Sequence, residues 1–151
     1  MMPEPLHCGE VDRVEYDVER GKIREFARAT FTTDPAHTDR AAAHAAGFAD
    51  VPATLTHTVV AGHQRDQRRF VETLGLALER VVVGSVKWTY LRPLIAGDHV
   101  VGTRRVVDDA RREGKRGGSM RVVTLETEYV DADGDPVVRL EEMLIERGEQ
   151  R

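Results

Sequence analysis

The densest group of reactive side chains is the run Thr32-Thr33-Asp34-Pro35-Ala36-His37. It sets a carboxylate, a rigid ring and an imidazole almost side by side. Proline fixes its own φ and biases Asp34 towards an extended backbone, so the turn is stiff. A stiff turn can hold an imidazole in one orientation, which acid–base catalysis requires. The same residues have a plain structural reading, in which Asp34 caps the next helix and His37 rides in its first turn. Side-chain chemistry alone leaves both open.

The remaining reactive groups are scattered. His57 and His63 would point in different directions from one helix, and His37 with His44 lacks a third ligand, so no metal site is expected. His57 falls in an apolar stretch, either as a satisfied core histidine or as part of a substrate tunnel. Arg104, Arg105, Arg111, Arg112, Lys115, Arg116 and Arg121 make a basic hairpin, read as a solvated loop or as a dock for a phosphate or an acidic carrier. No aromatic residues interleave with them, which argues against stacking on nucleic acid.

The elements that must hold these groups follow from periodicity. Residues 12–18 alternate as a first strand, and 19–31 place Ile23, Phe26 and Ala27 on one helical face. The 32–37 turn ends that helix, and 38–47 read as a second, alanine-rich one. Val51-Pro52-Ala53-Thr54 reads as the start of a central helix over 54–70, apolar in its first half and wet from about His63. Gly62 inside it implies a close approach to the backbone. Residues 80–91, 99–107, 119–130 and 136–146 read as strands, broken at 92–98, 108–118 and 131–135. Their spacing leaves no room for helical crossovers, so an antiparallel meander is expected. Its inner face needs a cover, which the apolar half of the central helix supplies.

The 151 residues are 40% hydrophobic and 32% charged, the balance of one folded domain and not of a disordered or membrane protein. A net charge of −4 argues against nucleic acid as the main partner. Cys8 is the only cysteine, which excludes an internal disulfide and a thiolate metal cluster. No apolar run reaches membrane-spanning length and residues 1–10 lack a signal core, so a cytoplasmic location away from membranes is expected. Residues 1–10 read as a tail, 11–147 as the single domain and 148–151 as a second tail.

Two motifs carry a family resemblance. Thr-Asp-Pro-Ala-His-Thr-Asp at 33–39, followed by small residues and Gly47-Phe48, resembles the hydratase motif of MaoC-like (R)-specific enoyl-thioester hydratases and dehydratases. Val51-Pro52-Ala53-Thr54, Gly84 to Leu94 and Gly97-Asp98 resemble the FAS1-like dehydratase N-terminal branch. The resemblance implies an α+β hotdog fold, with about five antiparallel strands wrapped around one long central helix. It implies a hydro-lyase acting on trans-2-enoyl and (R)-3-hydroxyacyl thioesters of coenzyme A or acyl carrier protein, with no further cofactor. His37 matches the family histidine, while the family's catalytic aspartate falls on Thr32; Asp34 is the replacement at hand. Amides of Ala53, Thr54 and Leu55 would hold the thioester oxygen, with His57 beside the acyl chain. Open sheet edges imply a homodimer or a heterodimer with a second hotdog subunit. Loss of the acid–base pair is common in this branch, so an acyl-binding subunit that depends on a catalytic partner is the alternative. A thioesterase, drawing its carboxylate from Asp66 or Glu72, is a third reading.

Overall fold

The computed structural model describes residues 9–148. The expected tails, 1–10 with Cys8 and 148–151, fall mainly outside the described residues. Five strands make one antiparallel sheet: β1 (Glu10–Asp17), β2 (Val81–Tyr90), β3 (His99–Glu113), β4 (Ser119–Val130) and β5 (Pro136–Arg147). Their order is β1-β3-β4-β5-β2. β3, β4 and β5 form the expected meander, but β2 pairs with β5 at one edge and β1 with β3 at the other. The 92–98 connection does not turn as a hairpin. It bonds to residues 51–53 and carries the chain across the sheet.

Charge hid the length of β3. Residues 108–113 read as loop from their polarity, yet they pair with 119–124. Within the expected basic loop, Arg104 and Arg121 are buried. Arg121 shares the inward face with Val123, Leu125 and Tyr129 and forks onto Asp109 at 2.9 and 2.7 Å. The 131–135 turn is as expected: Asp131 accepts from the Asp133 and Asp135 amides at 3.0 Å, and Gly134 takes φ 83°.

Helices α1 (Arg20–Ala29) and α2 (Arg40–Ala45) bury Ile23, Ala27 and Ala43, the small or apolar positions of each. The central segment is not one long helix. It is a 3-10 stretch, His57–Gln64, then an extended Arg65 (φ −120°, ψ 143°), then α3 (Gln67–Thr73) capped by Asp66. Thr56, Thr58, Val59, Val60 and Gly62 all disfavour an α-helix. A Cβ at Gly62 would meet only Gln67 Nε2 at 3.6 Å, so no close approach explains this glycine. What fixes the break is Arg65, whose side chain turns inward onto Asp12. Trp88 Nε1 donates to Thr58 Oγ1 at 2.9 Å and ties the 3-10 stretch to β2. Among the described residues, no helix is long and apolar enough to cross a membrane.

Candidate functional site

The 32–37 turn is built by three local devices. Just beyond α1 comes Phe31, a non-glycine residue at φ 58° that is 89% exposed, and Thr32 N–H returns to Ala27 O at 2.8 Å. Asp34 is extended (φ −65°, ψ 118°), as a residue before proline must be. Its Oδ1 accepts from the Ala36 amide at 3.0 Å and starts the short 3-10 turn Pro35–His37. Asp39 repeats the device one turn later, accepting from Ala41 N at 2.9 Å.

His37 is therefore not a loose residue in a first turn. Its Nδ1 lies 2.7 Å from the carbonyl oxygen of Pro52. A carbonyl only accepts, so Nδ1 carries the proton and Nε2 keeps a lone pair. The half-buried imidazole is thus set in one tautomer with a base aimed away from its anchor.

The anchor itself is held by the 92–98 loop. Ala53 N–H donates to Leu94 O at 2.8 Å, and Ala96 N–H donates to Val51 O at 2.9 Å. Arg92 forks onto Asp98 at 2.8 and 3.1 Å and reaches Asp131 at 3.2 Å. Those hydrogen bonds raise the Arg92 pKa above its ordinary value, with Asp98 the larger cause. Gly97 and Asp98 close the loop on Val18 of the β1–α1 junction. The Arg-Pro-Leu…Gly-Asp pattern is thus a clamp that fixes the carbonyl to which His37 is bonded.

The expected partners of His37 are placed differently. Thr32 Oγ1 lies 3.2 Å from Thr30 Oγ1, back towards α1, and the Asp34 carboxylate is engaged in its own turn. Among the described residues, no hydrogen bond joins either side chain to His37. The Ala53 amide, an expected oxyanion donor, is occupied by Leu94; Thr54 and Leu55 N–H have no backbone partner among the described residues. His57 is fully buried, but it is not a satisfied core histidine. Among the described residues neither ring nitrogen has a partner, and the ring meets Phe26 edge-on at 5.6 Å. Burial and, second, Lys22 push its pKa down to about 4. The buried Thr54 hydroxyl also lacks a partner among the described residues. Asp66 is a helix cap and Glu72 is exposed. Among the described residues, no three His, Cys, Asp or Glu side chains gather as a metal site.

Arg104, read in the sequence as part of a solvated basic hairpin, is instead an interior residue. Arg104 is buried against Glu142 at 3.2 Å, with Asp12 at 3.9 Å, and its guanidinium stacks on Phe70 at 4.5 Å. Strict alternation along β3 and β4 would have exposed it, since Arg104 and Thr127 fall in phase with Val100, Val106, Leu125 and Tyr129.

The model of the FAS1-like dehydratase domain region matches residues 7–140. A UPF0336 protein of Clavibacter michiganensis is 40% identical over 135 residues, covering 89% of this chain and 87% of that one. A UPF0336 protein of Leifsonia xyli is 38% identical over 136 residues, covering 89% and 88%. A MaoC-like dehydratase structure superposes with TM-score 0.79 at 26% identity, over 94% of this chain and 42% of that one. The HadBC (3R-hydroxyacyl-ACP dehydratase) complex from Mycobacterium tuberculosis matches with TM-score 0.76 at 21% identity, over 93% and 98%. The architecture described above is the hotdog fold of those dehydratases.

Proposed function

Because the chain belongs to the FAS1-like dehydratase domain family, within the MaoC-like hotdog dehydratases, we propose that it interconverts trans-2-enoyl and (R)-3-hydroxyacyl thioesters in an assembly with a second hotdog subunit. The observation that carries this reading is the His37 Nδ1–Pro52 O bond, which leaves Nε2 free as a base. In hydration, Nε2 takes a proton from water as the oxygen adds to C3. Electron density moves to the thioester oxygen, where the Thr54 and Leu55 amides would receive it. The proton held by His37 then goes to C2, so water is added across the double bond and the imidazole is neutral again. Dehydration is the reverse. The thioester is carried on coenzyme A or acyl carrier protein, and no other cofactor enters the step.

A second subunit is supported from two sides. β2 is an edge strand with Val82, Val83 and Val86 exposed, and the HadBC and ChsH1–ChsH2 structures that this fold resembles are complexes. A second reading rests on the positions of Thr32 and Asp34. With no carboxylate bonded to His37 among the described residues, the chain would hold the acyl group while its partner performs the chemistry.

Loss of enoyl absorbance from crotonyl-CoA separates the readings, measured with the chain alone and with a co-expressed second hotdog chain. His37→Ala should lower the rate by about a hundredfold or more, the usual weight of a general base, and Thr32→Asp should raise it. A rate that survives His37→Ala in the active assembly would place the chemistry in the partner.

A further inference from the structure

The interior between sheet and central segment is not continuously apolar. One cluster gathers Tyr16, Ile23, Val100, Tyr129 and Leu140, and a second gathers Phe70, Leu74, Val106, Val123 and Leu125. Between them runs a belt of Asp12, Arg65, Arg104, Thr127 and Glu142. Arg65 pairs with Asp12, Arg104 pairs with Glu142 and lies near Asp12, and Thr127 Oγ1 is 3.4 Å from Arg104 Nε. Facing this belt, the hydroxyls of Tyr16, Tyr90 and Tyr129 and Nη2 of Arg65 are buried with no partner at hydrogen-bond geometry among the described residues, the Tyr129 hydroxyl lying next to the Arg65 guanidinium. Tyr16 and Tyr129 meet edge-on at 6.3 Å, and the charge of Arg65 acts on both hydroxyls.

Each such group, sealed from water and unpaired, costs stability, and an apolar Phe would fit three of the four positions better. A fold that keeps them in one place holds hydrogen-bonding capacity in reserve. Tyr16 also lines a cleft of about 600 Å³ with Lys22, Val60, His63 and Gln64. Val60, His63 and Gln64 of the cleft lining belong to the 3-10 stretch His57–Gln64, and the extended Arg65 that follows it joins the belt through Asp12.

We infer that this belt is a polar subsite of the acyl pocket, opened from the cleft when residues 57–65 shift, and that it takes a neutral oxygen on the ligand chain, a hydroxyl or a carbonyl. The inference rests on the thioester reading above and narrows its substrate class. Neutrality follows from the charges: Arg65 and Arg104 are already matched by Asp12 and Glu142, so a carboxylate would enter unbalanced. A plain hydrocarbon tail would leave all four groups unpaired, which is the larger discrimination.

The test is calorimetric titration of the full chain in its assembly with the second hotdog subunit, using dodecanoyl-CoA, isomers bearing one hydroxyl moved stepwise along the distal half of the acyl chain, and the dodecanedioyl analogue. One hydroxyl isomer should bind on the order of tenfold tighter than dodecanoyl-CoA, and the dicarboxylate should show no gain. In Tyr16→Phe/Tyr129→Phe that ratio should fall to near one. Tyr90→Phe, which removes only a rim hydroxyl, should lower it in part. Equal affinity for all isomers, a preference for the dicarboxylate, or a hydroxyl preference that survives the Phe variants overturns the subsite alone. Binding of none of these thioesters overturns the thioester reading and the subsite together.

Discussion

His57 and His37 show how differently two imidazoles are treated in one small domain. His37 is bonded through Nδ1 and keeps a lone pair on its other nitrogen, whereas His57 is sealed and held neutral down to about pH 4. That contrast has a consequence for stability. The unfolded chain takes a proton on His57 near the ordinary histidine value of about 6.5, while the folded chain does not until about 4. Between those values the unfolded state holds more protons, so stability falls as pH drops through this window and is level above it. The full span corresponds to about 3 kcal/mol. Urea unfolding at neutral pH and at about pH 4.5 should therefore show a loss that is largely absent in His57→Leu. Asp109 and Asp131, lowered by Arg121 and by the Asp135 amide, act below the carboxylate value of 3.8 and so outside this window. An equally steep loss in His57→Leu would assign the acid sensitivity elsewhere. His37 was legible in the sequence because Asp-Pro-x-His encodes its own stiff turn. The unpartnered state of His57 was not, since it depends on what Phe26 and the sheet fail to offer.

The elements were readable wherever their cause is local. Alternation located the starts and ends of β2, β4 and β5 closely, and the spacing of Ile23, Phe26 and Ala27 located α1. The central helix was misread because its break is not local. Arg65 leaves the helical path to reach Asp12, 53 positions away, and no window of neighbouring residues contains that pairing. The Arg92 loop lies between these cases. Its residues stood out as a pattern, but their role as a clamp on the 51–53 backbone is visible only in three dimensions. The clamp can be tested by Arg92→Lys, which keeps the charge and removes the fork that spans Asp98 and Asp131. Since the Arg92 side chain is about a third exposed, at 36%, the loss should be modest, roughly 1–2 kcal/mol by thermal or urea unfolding. Hydration should fall by more than that loss of stability explains, because the Pro52 carbonyl orienting His37 sits on the clamped segment. Unfolding and turnover that both match the parent chain would mean the loop holds its shape without the fork.

At the scale of the whole molecule, the sheet is finished on neither side, and the two edges are not alike. β1 is laced with Asp12, Arg13, Glu15 and Asp17, charges that discourage pairing with another chain. β2 carries a single charge, Lys87, in ten residues, and its Val83 is 60% exposed although its partner Leu144 on β5 is buried. Burying a row of valines is what an edge of this composition gains from a neighbouring subunit. The central segment makes the same demand, because its Leu55 and Val59 side chains project into solvent. Val83→Lys places a charge in the middle of that edge without touching His37 or its anchor. By sedimentation, the parent chain should run as an assembly of two hotdog units, alone or with its co-expressed partner. Val83→Lys should weaken that assembly by roughly a hundredfold, the cost of a buried, unpaired charge at a contact centre. Crotonyl-CoA hydration should fall in step with the assembled fraction, and raising the protein concentration should restore it. A variant that stays assembled would move the interface off β2. One that becomes a single unit yet keeps its turnover would show that the His37 site is complete within one chain.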